Sequence, residues 1–449
     1  MEAAVMGSKQ TQLEVLERVQ ENNVKFVRLQ FTDIFGALKN VAITVEDLPR
    51  VLEEGMLFDA SAVGGIASHL QSDMVLRPDP TTFVVFPWRP RDGAVARLLC
   101  DLHTPEGQPF PLCSRWVLRR VLEEACGQGI RFLVAAEAEF FLFQLDDRGH
   151  PTTVTHDLAS FCDLTPVDLG ENARRDMVLT LQEMGIGTAS SHHELGPGQH
   201  EIALRLTEAL QAADQLVTFK FVVRTIAQRH GLHASFMPQP LSGANGSGLN
   251  LGLQVWQGDR NHLWDPYGEW GLSAAGRRFV GGILRHARGA AALTNPLVNS
   301  YKRLVPSDTA PTYVAWGEEG RNTIVRLPAR RGIDMRIEVR HPDPTCNPYL
   351  ALAVLLRAGL AGMHQGVEPP PPVSEKLYPA EGGGLGQPGA VCLPRTLEQA
   401  LAAMQEDDLV RQTLGDTLFE LYYQTKAGEW ERFIAEVHPW ELQEYLKAY

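Results

Sequence analysis

Apolar and polar positions change period several times along the chain, and each change marks an element. "VKFVRLQFTDIFGALKNVAI", residues 24–43, predicts two strands about an Asp33–Gly36 turn, and "TFVVFPW" predicts another strand. "DLHTPEGQPFP" then reads as a boundary rich in Pro and Gly. Beyond it the spacing switches to helical. Val117, Leu118, Val121, Leu122 and Ala125 form one stripe, with Ser114 as the expected N-cap and Gly127 near the end. "NARRDMVLTLQEMG" predicts a second helix, with Ala173, Met177, Leu181 and Met184 on one side and Gly185 as its stop. A third runs from Thr207 towards Gly231. Strand-like runs lie between these helices without a regular βαβ rhythm. A Pro/Gly loop over 366–394 precedes a helical C-terminal region, which Thr396 and Gln399 open as a capping box.

Length and composition narrow the class. The chain has 449 residues, which predicts two or three domains, and its 44% hydrophobic and 21% charged content is globular. A net charge of −13 argues against a general nucleic-acid binder. The first residues lack a basic segment followed by an apolar core, so no secretory signal is expected. "YLALAVLLRAGLAGM" is interrupted by Arg357 and is too short to span a bilayer. Six cysteines without C-x-x-C spacing read as free thiols of a cytoplasmic protein.

Acids stand where acids are costly. "IRFLVAAEAEFFLF" is a strand apolar on both faces, yet Glu137 and Glu139 share one face of it. Two desolvated like charges require a cation or protons. In "SSHHELGPGQHEIALRL" a Pro197–Gly198 turn brings Glu194 and Glu201 towards each other. In "DMRIEVRHPDPTCNPYL" Arg336, Glu338 and Arg340 alternate with Met335, Ile337 and Val339, so one carboxylate stands between two guanidinium groups. Each feature alone is most often a solvated face. Together the carboxylates suit hard divalent ions, Mg²⁺ or Mn²⁺. Arg303, Arg321 and Arg326 add cations for polyphosphate, and "GANGSGLN" adds a glycine-rich turn able to approach an anion.

With "FTDIFGALK", "QSDMVLRPDPTTF", "EAEFFLF", "SHHELGPGQHEI", "TIAQRHGLHASFMPQP", "NSYKRLVP", "RIEVRHPDPTCNPYL" and "VHPW" in this order, the chain resembles the type I glutamine synthetases of bacteria from about Gln12 to Tyr449. The resemblance implies an α+β fold: an N-terminal β-grasp domain over 12–105, then a catalytic domain over 106–449 whose antiparallel strands form a funnel flanked by helices. It implies a homo-oligomer, a dodecamer of two hexameric rings with active sites between neighbouring subunits, and no nucleic-acid or membrane partner. It also implies ATP-dependent condensation of glutamate with ammonia through a γ-glutamyl phosphate. Glu139, Glu194 and Glu201 match the ligands of a first metal, and Glu137 and Glu338 those of a second, Mg²⁺ or Mn²⁺. Asn245, Gly246, Arg303 and Arg340 match glutamate-holding positions, and Arg321, Arg326 and Arg336 match phosphate contacts. Asp59 matches an ammonium-binding aspartate.

The departures are concentrated. Asn250 stands where the family has a histidine on the second metal, and Gln254 where it has a serine. Thr309 occupies the position of the flap glutamate, with Asp308 beside it, and threonine is no general base near neutral pH. Ala62 replaces a serine near Asp59, Ser68 replaces a feedback-control arginine, and "KLYPAEGG" lacks the adenylylation motif. Two readings follow: a glutamate ligase with an altered amine site, or a catalytically impaired paralogue with a regulatory or assembly role. A guanidino phosphotransferase shares the catalytic fold but leaves the N-terminal domain unexplained.

Overall fold

The computed structural model describes residues 2–61, 63, 73–90, 92–305, 310–318, 322–373 and 391–449. The first sheet has five strands, β1 (Val24–Thr32), β2 (Leu38–Thr44), β3 (Met56–Asp59), β4 (Asp73–Val85) and β5 (Ala94–His103), in the order β2-β1-β5-β4-β3. Only the central pair β1–β5 is parallel. The expected hairpin turn forms because Asp33 Oδ1 accepts from the N–H groups of Phe35 (3.0 Å) and Ala37 (2.9 Å). Gly36 completes it at φ +81°, where a Cβ would lie 2.8 Å from Asn347 Cα. Asn347 answers with a hydrogen bond from its side-chain amide to Ile34 O (3.2 Å), joining this turn to the second sheet's domain.

The second sheet has ten strands: β6 (Ile130–Leu145), β7 (Pro151–Thr155), β8 (Thr188–His193), β9 (Gln199–Glu208), β10 (Leu232–Ser235), β11 (Leu249–Gln257), β12 (Arg260–Asn261), β13 (Tyr313–Gly317), β14 (Thr323–Arg326) and β15 (Ile337–Val339). Its main path is β13-β14-β15-β11-β6-β9-β8, and β6 also pairs with β7 and β10. A β-grasp sheet followed by this helix-flanked mixed sheet is the α+β architecture anticipated, without a βαβ rhythm. Behind it the helices Ala274–Thr294 and Pro348–Gln365 cross closely, since a Cβ on Gly282 would meet Ala358 O at 2.1 Å.

Several local expectations hold. Residues 171–183 are helical with Ala173, Met177 and Leu181 buried, and Gly185 follows at φ +77°. Thr396 caps the helix Leu397–Gln405 by accepting from Gln399 N (3.1 Å), while Gln399 Oε1 reaches back to Arg395 N (2.9 Å). Two expectations need correction. The helix Ser114–Cys126 is capped by Cys113, because the Ser114 hydroxyl is buried against Thr32 Oγ1 (2.9 Å) across the domain junction and is unavailable to its own helix. The alternating run at 334–340 is strand only over Ile337–Val339, since 332–334 turn as a 3₁₀ segment, and all three strand residues are buried. All six cysteines are unpaired. Among the described residues no helix is long and apolar enough to cross a membrane. Most of the Pro/Gly loop, 374–390, lies outside the described residues.

Candidate functional site

Strand register assembles the site. Cross-strand partners share a face of a sheet and stand about 5 Å apart. Glu139 of β6 lies opposite Glu201 of β9, and Glu201 opposite His192 of β8. On the other side of β6, Glu137 lies opposite Asn250 of β11, and two residues along, Gly252 faces Glu338 of β15. One row thus carries acids from three strands onto a single face. The loop from β8 to β9 adds Glu194, whose backbone N–H bonds Gln199 O (2.7 Å).

These groups open on a cavity of about 1060 Å³. Its floor is Glu137, Glu139, Glu194, Glu201, Glu338 and Asn250; its walls include Asn245, Gly246, Arg303, Arg326 and Arg340. One half is compensated within the protein. Glu338 lies between Arg326 Nη2 (3.2 Å) and Arg340 Nε (3.2 Å), and Glu137 meets Arg336 Nη2 at 3.1 Å. Gly252 makes the last pairing feasible, because a Cβ there would touch Arg336 Cδ at 2.9 Å. The other half is not compensated. Burial, then Glu139, Glu137 and further acids, pushes the Glu201 carboxyl up to about 9. Burial and Glu194 raise Glu139 to about 7 against the pull of the Gly248 N–H, Arg303 and Arg340. Burial also raises Glu338, although Arg326 and Arg340 oppose the shift.

Three or more anionic oxygens meeting in a cleft, with too few cations among the described residues to neutralise them, fit a hard divalent cation. The side-chain ligand atoms of His192, Glu194 and Glu201 all lie within 4.8 Å of one another. His192 Nε2 is 2.9 Å from Glu194 Oε1. Sequence reasoning passed over His192, although its register opposite Glu201 follows from the same hairpin. It also missed Gln199, buried at the start of β9. The Gln199 amide donates to Glu139 Oε2 (3.1 Å) and to Gly246 O (3.1 Å), while its oxygen accepts from Gly196 N (3.0 Å). A polar residue ahead of an apolar strand was the available signal.

Arg303 is held from behind, donating to His341 O (2.9 Å) and Arg340 O (3.2 Å). Gly246 and Gly248 leave room for it, as a Cβ on Gly248 would lie 2.5 Å from Arg303 Nη2. Gln254 is absent from the cavity; it is buried, accepts from Trp256 Nε1 (2.9 Å) and donates to Ile333 O (3.3 Å). Asp59 is not brought to this cavity within one chain. It ends β3, the edge strand of the first sheet, is exposed, and accepts from Ser61 N (2.8 Å). Arg321, Thr309, Asp308, Ala62 and Ser68 lie outside the described residues.

The glutamine synthetase catalytic domain family matches residues 111–445, and the glutamine synthetase beta-Grasp domain family matches residues 23–105. A glutamine synthetase of Clostridium saccharobutylicum is 47% identical over 442 residues, 98% of this chain and 100% of that protein. One from Staphylococcus aureus is 44% identical over 440 residues, 98% of this chain and 99% of its own. Among solved structures, a GmaS–ADP complex superposes with a TM-score of 0.87 at 30% identity, covering 97% of this chain and 99% of that one.

Proposed function

The chain belongs to the glutamine synthetase family, and from this premise we propose that its cavity joins glutamate to ammonia or a larger amine, using ATP and passing through γ-glutamyl phosphate. One observation carries this reading: the carboxylates of Glu139, Glu194 and Glu201 share a cavity with Glu338 held between Arg326 and Arg340. That is the equipment for a divalent cation beside a phosphoryl group. The ADP of the related GmaS complex supports a nucleotide as one of the substrates.

Glu139, Glu194 and Glu201, with His192 beside them, would hold one Mg²⁺ or Mn²⁺, and Glu137, Glu338 and Asn250 a second, weaker one. The bound ions would supply charge neutralisation and Lewis acidity at phosphate oxygens. The protein's own groups do the rest. Asn245, Gly246, Arg303 and Arg340 receive the substrate glutamate, and the Gln199 bonds keep Glu139 and Gly246 in fixed relation. Arg326 and Arg336 would contact the polyphosphate, the role the resemblance also gives Arg321, which lies outside the described residues. The γ-carboxylate oxygen attacks the terminal phosphorus and ADP leaves. The amine nitrogen then attacks the acyl carbon, phosphate departs, and one proton passes to solvent or phosphate.

Thr309 supplies no base for ammonium, and the neutral Asn250 weakens the second cation site. Loss of the anionic group at Thr309 makes the site less selective for a small cation and favours a larger or uncharged amine. The proposed domains are 12–105 and 106–449, and the exposed Asp59 would act only when presented to a neighbouring copy's cavity in a ring assembly.

The test is phosphate release with ATP and glutamate across ammonia, alkylamines and diamines, under Mg²⁺ and under Mn²⁺. Formation of a γ-glutamyl amide with any amine supports the ligase. Intact assembly and nucleotide binding without turnover on any amine supports the impaired-paralogue alternative. Asn250→His with Thr309→Glu is expected to raise ammonia-dependent turnover roughly tenfold or more, the scale on which one metal ligand or its support acts; an unchanged rate would show that these positions are not the lesion.

A further inference from the structure

A second cavity, of about 530 Å³, lies at the junction of the first sheet and the helix Ala209–Arg229. Its chemistry is the reverse of the funnel's. Arg28, Arg89, Lys220 and Arg224 line it, and no Asp or Glu is among the described residues that do. In a chain of net charge −13 such a concentration of one sign needs a cause.

The cations come from separate elements. Arg28 projects from β1, Arg89 follows β4, and Lys220 and Arg224 lie one turn apart on the helix face that also presents Val217 and Phe221. Like charges at this spacing repel. Partial partners exist, but among the described residues none is a carboxylate in ion-pair contact. Arg28 Nη1 donates to Asn40 Oδ1 (3.3 Å), and Lys220 Nζ to Pro344 O and Cys346 O (3.2 Å each). Arg224 lies over the Phe236 ring at 5.3 Å. The acids that act on Lys220 at longer range, Asp343 and Asp33, are outside the lining and already bonded to Thr345 and to the 33–37 turn. Beside the cations stand three packed rings: Phe86 stacks on Trp88 at 4.7 Å, and Phe221 closes the group at 5.6 and 5.4 Å.

We propose that this junction cavity is a binding site for a small organic dianion, a dicarboxylate or a phosphate monoester, held by Arg28, Arg89, Lys220 and Arg224 with its apolar part against the Phe86–Trp88–Phe221 rings. Two negative charges match cations drawn from both domains, which a single chloride-sized charge would not span. Occupancy ties β1 to the helix and so tightens the junction. The site is separate from the funnel, and its fate does not depend on which amine is used.

The experiment titrates the full chain at low ionic strength with succinate, inorganic phosphate and phenyl phosphate, reading the melting temperature and tryptophan fluorescence. The expected result is a saturable stabilisation by at least one probe, since binding to the folded state alone raises its apparent stability. Phenyl phosphate bound in preference to inorganic phosphate assigns the ring contact; succinate bound in preference to both assigns a dicarboxylate. Arg28→Gln with Arg224→Gln should weaken the best probe about tenfold or more, the loss expected when charge-assisted hydrogen bonds go. Without probe this double variant should melt no lower than the parent, because a repulsion has been removed. Trp88→Phe should abolish the fluorescence change, and Arg326→Gln, in the funnel, should leave probe binding intact. Binding by none of the probes, binding unchanged in the double variant, or binding lost with Arg326→Gln would overturn the proposal.

Discussion

Two buried charge clusters in this protein look alike in composition and behave oppositely. At the domain junction Arg115 meets Asp214 (2.9 Å), Asp79 (2.7 Å) and Asp101 (3.0 Å), with Arg119 and the Tyr349 hydroxyl completing the set. Burial alone would raise the Asp79 carboxyl, yet Arg115, Thr81 and Arg119 hold it below its ordinary value. In the funnel Glu139 and Glu201 are raised instead, first by burial and then by the further acids each faces, with too few cations to offset both. A charge cluster satisfied by the protein itself is structural. One that leaves its anions uncompensated is built for something that arrives from outside.

The largest effect should come from breaking the satisfied cluster. Arg115→Met leaves three carboxylates without their shared partner and should cost about 3–5 kcal/mol, the scale for unpairing buried charges. Thermal melting would show it as a fall of several degrees; a fall within experimental scatter would mean the network contributes little. Next comes the uncompensated cluster. Glu201→Gln should lower turnover by about 10²-fold or more through lost cation binding, measured also as weakened Mn²⁺ affinity. Its stability effect should have the opposite sign in cation-free buffer.

The pH dependence sharpens that contrast. Glu139 and Glu201 keep protons in the folded protein well above the ordinary carboxylate value of 4.5. Folded chains therefore bind more protons than unfolded ones over that range. The stability this contributes is fully present below about 4.5 and is lost as pH rises through about 7 and about 9. With chelator, melting temperature should decline between these limits. Saturating Mg²⁺ should flatten the decline, and Glu201→Gln should remove most of it. A flat chelated profile would mean that these carboxylates are compensated in some other way.

A smaller effect is expected from Gln199→Leu, which keeps the acids but removes the bonds to Glu139 and Gly246. A roughly tenfold rise in KM for glutamate with a modest change in kcat is expected of a positioning group. Loss of kcat alone would place Gln199 in the chemistry instead.

Much of the funnel was legible in the chain. Glu137 and Glu139, two apart within a strand otherwise apolar on both faces, violate the ordinary rule for buried strands, and the violation locates the site. The Arg336–Glu338–Arg340 alternation by itself reads as a solvated face, and the strand proved only three residues long. Its inward direction was a matter of what β14 and β11 place beside it. His192 and Gln199 escaped notice because their significance lies in partners across a hairpin and on another strand, not in their own neighbours. The junction cavity was invisible: Arg28, Arg89, Lys220 and Arg224 are spread over nearly two hundred positions, and each reads singly as a solvated cation.

By itself the order of residues determined the secondary-structure punctuation, the placement of the acids on strands and the family, because periodicity, turn chemistry and motif spacing are local properties. Tertiary structure alone decided which charges are neutralised and which are left to be met from outside. Electrostatic compensation depends on distances of a few ångströms between strands remote in sequence, and only the register of β6, β9, β11 and β15 sets those distances.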